Sequence, residues 1–442
     1  MKTPSPSKNA PRIHLASLGC AKNLVDSERI LARLASAGAV VGAGAEEADI
    51  IIVNTCGFIA PAKTESIETI LELAEHKKRG RCRLLLVMGC LAQRYGAELR
   101  ERMPEVDGVF GLGGDEAIAK ACGLSKAKAG SADHGRLLLT PKHSAYLRIA
   151  DGCDNRCAYC TIPLIRGPFR SRPITEVLGE AEQLADLGVR ELNLIGQDTT
   201  MYGTDLYGRP QIAELLARVS KVPGVKWVRL LYTHPAHFSD ALIDSLAGIP
   251  KVCPYVDLPL QHLDDAILKR MGRRVTQAQC LDLIERIRER IPGVAIRTTF
   301  IVGFPGETPA QFNELLRLVR EIRFDHLGAF AYSREEDTAA ARMRGQVSER
   351  AKAVRLGKLM RAQQEIVFAK NRSMIGETVQ VMIDQRDANG KDVWFGRTRT
   401  QAPDVDNVTV VTGRGLRPGR FVKARIVGTR GYDLLARKEP TQ

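Results

Sequence analysis

Three patterns of apolar and polar positions follow one another along the chain. From about 12 to 127, short apolar runs alternate with stretches of helical period. "RIHLASLGC" precedes "NLVDSERILARLASAG", "ADIIIVNTCGF" precedes "AKTESIETILELAEHKKRG", and "RLLLVMGC" precedes "LAQRYGAELRERM". Continuous apolar strands separated by amphipathic helices predict a parallel sheet covered on both faces. The Gly-, Ser-, Ala- and Lys-rich segment "GLSKAKAGSADHG" then reads as a boundary. A second region, 139–373, alternates again, with strands at "YLRIADGC", "ELNLIGQD", "KWVRLLYTHP", "YVDLPLQH", "AIRTTFIVGFPG" and "HLGAFAYS". Six strand–helix units predict a partial (β/α)6 TIM-like barrel, open on one side, and the long basic helix "SERAKAVRLGKLMRAQQEIVFAKNRS" follows it. From 374 to 440 the helices stop. "ETVQVMI", "VWFGRTRT", "NVTVVTG" and "RFVKARIVGTRGYDLLARK" predict a small antiparallel β-barrel of the oligonucleotide-binding class. The expected fold class is therefore α/β with an appended all-β module.

Composition narrows the partners. The 442 residues are 44% hydrophobic and 26% charged, as in a soluble globular protein. No apolar run approaches a membrane span, and the start "MKTPSPSKNAPR" lacks the apolar core of a signal peptide. It reads as a short disordered tail on a cytoplasmic protein. A formal net charge of +14 suits an anionic partner such as nucleic acid or a particle made of it, although it also serves solubility. The last segment carries twelve Lys and Arg against eight Asp and Glu, which suits a phosphate backbone, or alternatively a plain docking module.

Ten cysteines in a cytosolic chain favour metal ligation or catalysis for those that cluster. Cys153, Cys157 and Cys160, in "DGCDNRCAYC", sit just past an apolar strand, where α/β barrels build active sites. A closed zinc site needs a fourth ligand, and no Cys or His pair follows. Three thiolates suit a four-iron–four-sulfur cluster with one iron left for a small molecule. A second trio ends three strands of the first region. Cys20, Cys56 and Cys90 lie 36 and 34 positions apart, each just before a helix. In a parallel sheet these ends share one edge. Buried core cysteines or a zinc site are the competing readings. Cys82, Cys122, Cys253 and Cys280 share no placement and read as structural.

Cys-x3-Cys-x2-Cys after a first barrel strand resembles the radical S-adenosylmethionine superfamily. The resemblance implies that S-adenosylmethionine caps the open iron and is cleaved by one electron from the cluster. It implies an adenine-side position for Tyr159, which on its own also reads as a packing residue. It implies contacts near the cofactor's amino end for Gly196, Gln197 and Asp198. Gly303 and Gly306, in "FIVGFPGE", permit close backbone approach, but the spacing departs from the superfamily's adenine motif, so no role is carried onto Glu307.

With the first region's cysteines and the terminal β-module, the chain from 12 to 440 resembles the methylthiotransferase family. This implies a second four-iron–four-sulfur cluster on Cys20, Cys56 and Cys90, and a TRAM module at the C-terminus. "GQDTTMYG" and "YVDLPLQH" resemble the branch that adds a methylthio group to the β-carbon of an aspartate of ribosomal protein S12. The implied partners are that protein, in or near the small ribosomal subunit, and a reductant protein of flavodoxin or ferredoxin type, with the enzyme a monomer off the membrane. The alternatives are a tRNA N6-isopentenyladenosine methylthiotransferase and a non-catalytic zinc- and RNA-binding protein. No catalytic residue beyond the cluster ligands is implied.

Overall fold

The computed structural model describes residues 10–124, 135–390 and 392–440. The N-terminal tail and most of the linker around 123–135 lie outside them. The chain forms two compact units. The first holds residues up to Leu139 with 151–154 and 160–169, and the second holds 140–150, 155–159 and 170 onward.

In the first unit, β1 (Arg12–Ser17), β2 (Val40–Val41), β3 (Ile50–Thr55), β4 (Leu84–Gly89) and β5 (Gly108–Phe110) form one sheet of order β2-β1-β3-β4-β5. All its pairs are parallel. Helices α1 (Ala21–Ser36), α2 (Ala60–Arg79), α3 (Cys90–Arg102) and α4 (Asp115–Ala121) connect them. The central strand β3 is buried along its whole length. Ile51 and Val53 point into one apolar cluster with Ile70 and Leu73 of α2, while Ile50 and Ile52 point into the other with Ile30 and Leu34 of α1. Burial on both faces is why the strand reads as an unbroken apolar run.

The second unit begins with two parallel arcs of three strands. Ser144–Arg148, Glu191–Ile195 and Trp227–Leu230 make one, and Tyr255–Asp257, Ala295–Val302 and His326–Ala331 the other. An isolated bridge from Val228 to Val252 lies next to the last strand of the first arc. Helices alternate with the strands, and capping boxes at Thr276/Gln279 and Thr308/Gln311 fix two of their starts. The helix Glu349–Ser373 then leads to a closed five-stranded barrel built from Thr378–Arg386, Val393–Arg397, Thr409–Thr412, Phe421–Arg430 and Asp433–Lys438. The expected antiparallel barrel contains one parallel pair, Thr409–Thr412 beside the last strand. Those strands are not consecutive, because Phe421–Arg430 intervenes between them.

Buried ion pairs hold the small barrel to the six-stranded one. Glu191, fully buried, meets Arg397 at 2.8 Å and Arg229 at 3.3 Å. Tyr146 donates to Asp404 and Tyr255 to Asp406, both at 2.7 Å.

Candidate active site

The sheet of the first unit brings Cys20, Cys56 and Cys90 to one edge. Cys20 is the residue before α1, Cys56 follows β3, and Cys90 opens α3. Two glycines allow the approach. Gly19 has φ +90°, and a Cβ there would lie 2.9 Å from Cys56 Cβ and 3.2 Å from its Sγ. Gly89 has φ +99°, and a Cβ there would sit 2.2 Å from Asn54 Oδ1. Asn23 in α1 stitches the three turns together. Its Nδ2 donates to the carbonyls of Leu18 and Thr55, and its Oδ1 accepts from the Cys90 thiol at 3.3 Å.

Electrostatics shows what the trio lacks. Burial raises the Cys56 thiol, and the nearby Cys20 adds to the rise. Burial pushes Cys90 up to about 12, with Cys20 and Cys56 pushing the same way and Arg166 opposing. Two desolvated thiols, Cys56 and Cys90, beside the exposed Cys20 are held protonated unless a cationic centre offsets their charge. Among the described residues, this trio is not packed within 4.8 Å sulfur to sulfur. Sulfurs around one tetrahedral zinc sit about 3.8 Å apart, given bonds of about 2.3 Å. The donor set therefore fits a larger, multi-iron centre better than a single ion.

Arg166 is a buried cation beside this edge. It ends the short helix Ile162–Arg166, and its side chain is 2% exposed. Its Nη2 lies 2.8 Å from Asn23 Oδ1, 3.1 Å from Asp26 and 3.6 Å from Cys90 Sγ, and Nη1 lies 3.1 Å from Asp151.

The 153–160 loop is shared between the units, and each part has its own support. In the first unit, Cys153 N–H donates to the Gly167 carbonyl, and Ile162 N–H points at Cys160 Sγ at 3.4 Å. In the second, the buried Arg273 holds Nη1 3.9 Å from Cys157 Sγ. Donors aimed at sulfur stabilise thiolate ligands and set the potential of an iron–sulfur centre.

The remaining expected contacts lie in the second unit. Tyr159 packs edge-on against Phe304, which in turn meets Tyr332. Gly196 follows the strand Glu191–Ile195, and a Cβ there would make ordinary contact with Thr199 at 3.4 Å and Ala150 at 3.7 Å. Gln197 beside it is half-buried. Asp198 is buried and accepts from Asn155 Nδ2 at 2.7 Å and from the Thr200 backbone at 3.1 Å, with His237 Nδ1 at 2.9 Å. Burial works to raise its carboxyl, but the His237 bond and its neighbours hold it below the ordinary range. His234, stacked 4.8 Å from His237, is kept neutral by burial, which lowers it to about 3. The Cβ clashes at Gly303 and Gly306 are with Lys352 and Arg270, so protein packing explains both glycines. Glu307 accepts from the Gly303 N–H at 2.6 Å and pairs with Arg355.

Sequence reasoning did not single out Asn23, Asp26, Arg166, His234, His237 or Arg273. The signal available for Arg166 and Arg273 was chemical: an anionic cluster calls for a buried cation.

Comparison with known proteins agrees with this geometry. A model of the radical SAM superfamily matches residues 147–319, one of the uncharacterized protein family UPF0004 matches 12–111, and one of the TRAM domain matches 375–438. The radical S-adenosylmethionine methyltransferase TsrM from Kitasatospora setae, solved with cobalamin and a [4Fe-4S] cluster, shares the fold. Its TM-score is 0.51 at 16% identity, over 73% of this chain and 75% of that one. Fold and site thus define a radical SAM enzyme. Ribosomal protein uS12 methylthiotransferase RimO from Pelotomaculum thermopropionicum is 48% identical over 96% of this chain and 98% of its own. That from Geobacter sulfurreducens is 47% identical over 96% and 98%. The chain belongs to this RimO family of methylthiotransferases.

Proposed function

We propose that the chain adds a methylthio group to the β-carbon of an aspartate of ribosomal protein uS12, using two four-iron–four-sulfur clusters. Cys20, Cys56 and Cys90 would hold one, and Cys153, Cys157 and Cys160 the other, each leaving one iron for a ligand that is not protein. The observation that carries this reading is the gathering of Cys20, Cys56 and Cys90 at one sheet edge, with the buried Arg166 guanidinium 3.6 Å from Cys90 Sγ.

When bound, the clusters and S-adenosylmethionine supply one-electron cleavage of a sulfonium and a transferable methylthio group, chemistry that no side chain can perform on an unactivated C–H bond. The chain's own groups bind and orient. Arg166, Arg273 and the Ile162 N–H offset the negative charge of sulfur ligands. Tyr159, backed by Phe304, offers an aromatic wall to an adenine. Gly196 adds no side chain beside Gln197 and Asp198, whose carboxamide and carboxylate oxygens would be the acceptors for an ammonium group.

The segments 12–127, 139–373 and 374–440 then serve as auxiliary-cluster domain, radical barrel and substrate-docking module. A flavodoxin- or ferredoxin-type protein supplies the electron, and the enzyme acts as a monomer. No helix among the described residues is long and apolar enough to cross a membrane.

Anaerobically purified variants test this. Cys56→Ala should lose roughly half the iron, keep reductive cleavage of S-adenosylmethionine and lose the methylthio mass increment on uS12. Cys157→Ala should lose reductive cleavage. A Cys56→Ala enzyme that still methylthiolates uS12 would overturn the two-cluster assignment.

A further inference from the structure

We infer that a basic cleft at the N-terminal ends of the barrel strands is a docking site for the phosphate backbone of RNA. The cleft has a volume of about 1050 Å³ and lies where the six-stranded barrel meets the small one. Lys142 immediately precedes the strand Ser144–Arg148, and Arg190 precedes Glu191–Ile195. Arg417 and Arg420 face them from the loop before Phe421–Arg430. All four are exposed. Among the described residues, none of the four forms an ion pair; Arg420 donates only to the Gly415 carbonyl.

Among the described residues, the only acid lining the cleft is Asp384, and its charge is already used. Arg397 holds both its oxygens at 2.9 and 3.0 Å, and His143 Nε2 lies 2.8 Å from one of them. The wall is fixed. Gly419, at φ +77°, lets the Arg417–Arg420 loop press on His143, where a Cβ would come within 2.9 Å of His143 Cβ. Its N–H donates to the Ile383 carbonyl. Four cations without counter-charge in one concavity repel one another, and low-dielectric walls focus their field. A polyanion that displaces condensed counter-ions relieves this.

Tyr159 and Asp198 lie past the C-terminal ends of the same strands. Five residues of strand span about 17 Å, so an anion in this cleft is bound away from the chemistry. It would orient the particle that carries the target rather than the reacting side chain. This inference rests on the reading that the target is a ribosomal protein, which is met among RNA.

The test pairs Lys142→Glu/Arg417→Glu in the full holoprotein with a control, Lys423→Glu, exposed on the same small barrel. A short mixed-sequence RNA is the binding probe, and polyglutamate the competitor. The double variant should bind RNA about tenfold more weakly at physiological salt, with a salt slope shallower by about 1.5. Its KM for intact small subunits should rise while its kinetics on free uS12 match wild type. Lys423→Glu should bind RNA as wild type does. Unchanged RNA affinity in the double variant overturns the inference, as does polyglutamate displacing RNA at equal charge concentration, which would assign the cleft to an acidic protein. If wild type modifies neither free uS12 nor intact small subunits, the enzymatic reading falls, and the RNA affinities still decide the cleft.

Discussion

The Arg166 guanidinium lies 3.6 Å from Cys90 Sγ and 3.1 Å from Asp151, two residues before Cys153. One buried cation thus touches a member of the first cysteine trio and the start of the loop that bears the second. Arg166→Ala leaves Asp26, Asp151 and Asn23 without their shared donor. Breaking a pair this buried costs about 3 kcal/mol, reduced where Asp151 is a third exposed. Thermal melts of the cluster-free chain should register that loss. Iron analysis and redox titration should show a lowered potential or loss of the proposed centre on Cys20, Cys56 and Cys90, because a thiolate-ligated centre without its neighbouring cation is harder to reduce. Arg166→Lys, which keeps the charge, should recover part of the potential.

Much of this was legible in the sequence, for identifiable reasons. Ile50 to Val53 read as a buried parallel strand because both faces are covered, and the cysteine edge followed because Cys56 and Cys90 each end a strand of one sheet. The strands Val40–Val41 and Gly108–Phe110 escaped notice, since two or three residues carry no measurable period. Arg166 was hidden for a different reason. It is one of several arginines in "IRGPFRSRP", where Arg170 is exposed, and only the fold turns Arg166 inward. The same holds for Asp198 and His237, which are 39 residues apart in sequence and 2.9 Å apart in space.

Gly89 makes the geometry of the first trio testable. Its φ of +99° disfavours any side chain, and a Cβ would meet Asn54 Oδ1 at 2.2 Å and the Thr55 carbonyl at 2.7 Å. Gly89→Ala should cost about 2–3 kcal/mol and displace Cys90, the next residue. Iron bound per chain should fall. Gly38→Ala, at φ +100° with nothing within 4 Å, carries the backbone strain alone and should retain its iron.

The attachment of the small barrel includes the buried carboxylate of Glu191. Burial works to raise Glu191, but Arg397 and Arg229 more than offset this and hold it at about 2. Glu191→Gln leaves the buried Arg229 without an anion, while Arg397 keeps Asp384, a loss of about 3 kcal/mol. A lowered denaturant midpoint and faster proteolytic cleavage between 374 and 440 should follow, with Cys20, Cys56 and Cys90 still binding iron.

His262 gives the fold an acid-sensitive element. Burial is the largest cause of its low pKa, about 4, with Arg355 adding to it and Asp264 opposing. Its ring accepts the Asp264 N–H at 2.9 Å and stays neutral in the folded state. In the unfolded chain the same imidazole titrates near 6.5. Between these values the unfolded state binds a proton that the folded state does not, so stability falls as pH drops below about 6.5. At about pH 5 the loss from His262 reaches about 2 kcal/mol. His234, at about 3, acts in the same sense. Denaturant midpoints of the cluster-free chain at neutral pH and near pH 5 measure the effect. His262→Gln should reduce the acid-induced drop by about 2 kcal/mol while the His234 share persists, and an equal drop in variant and wild type would remove His262 from this account.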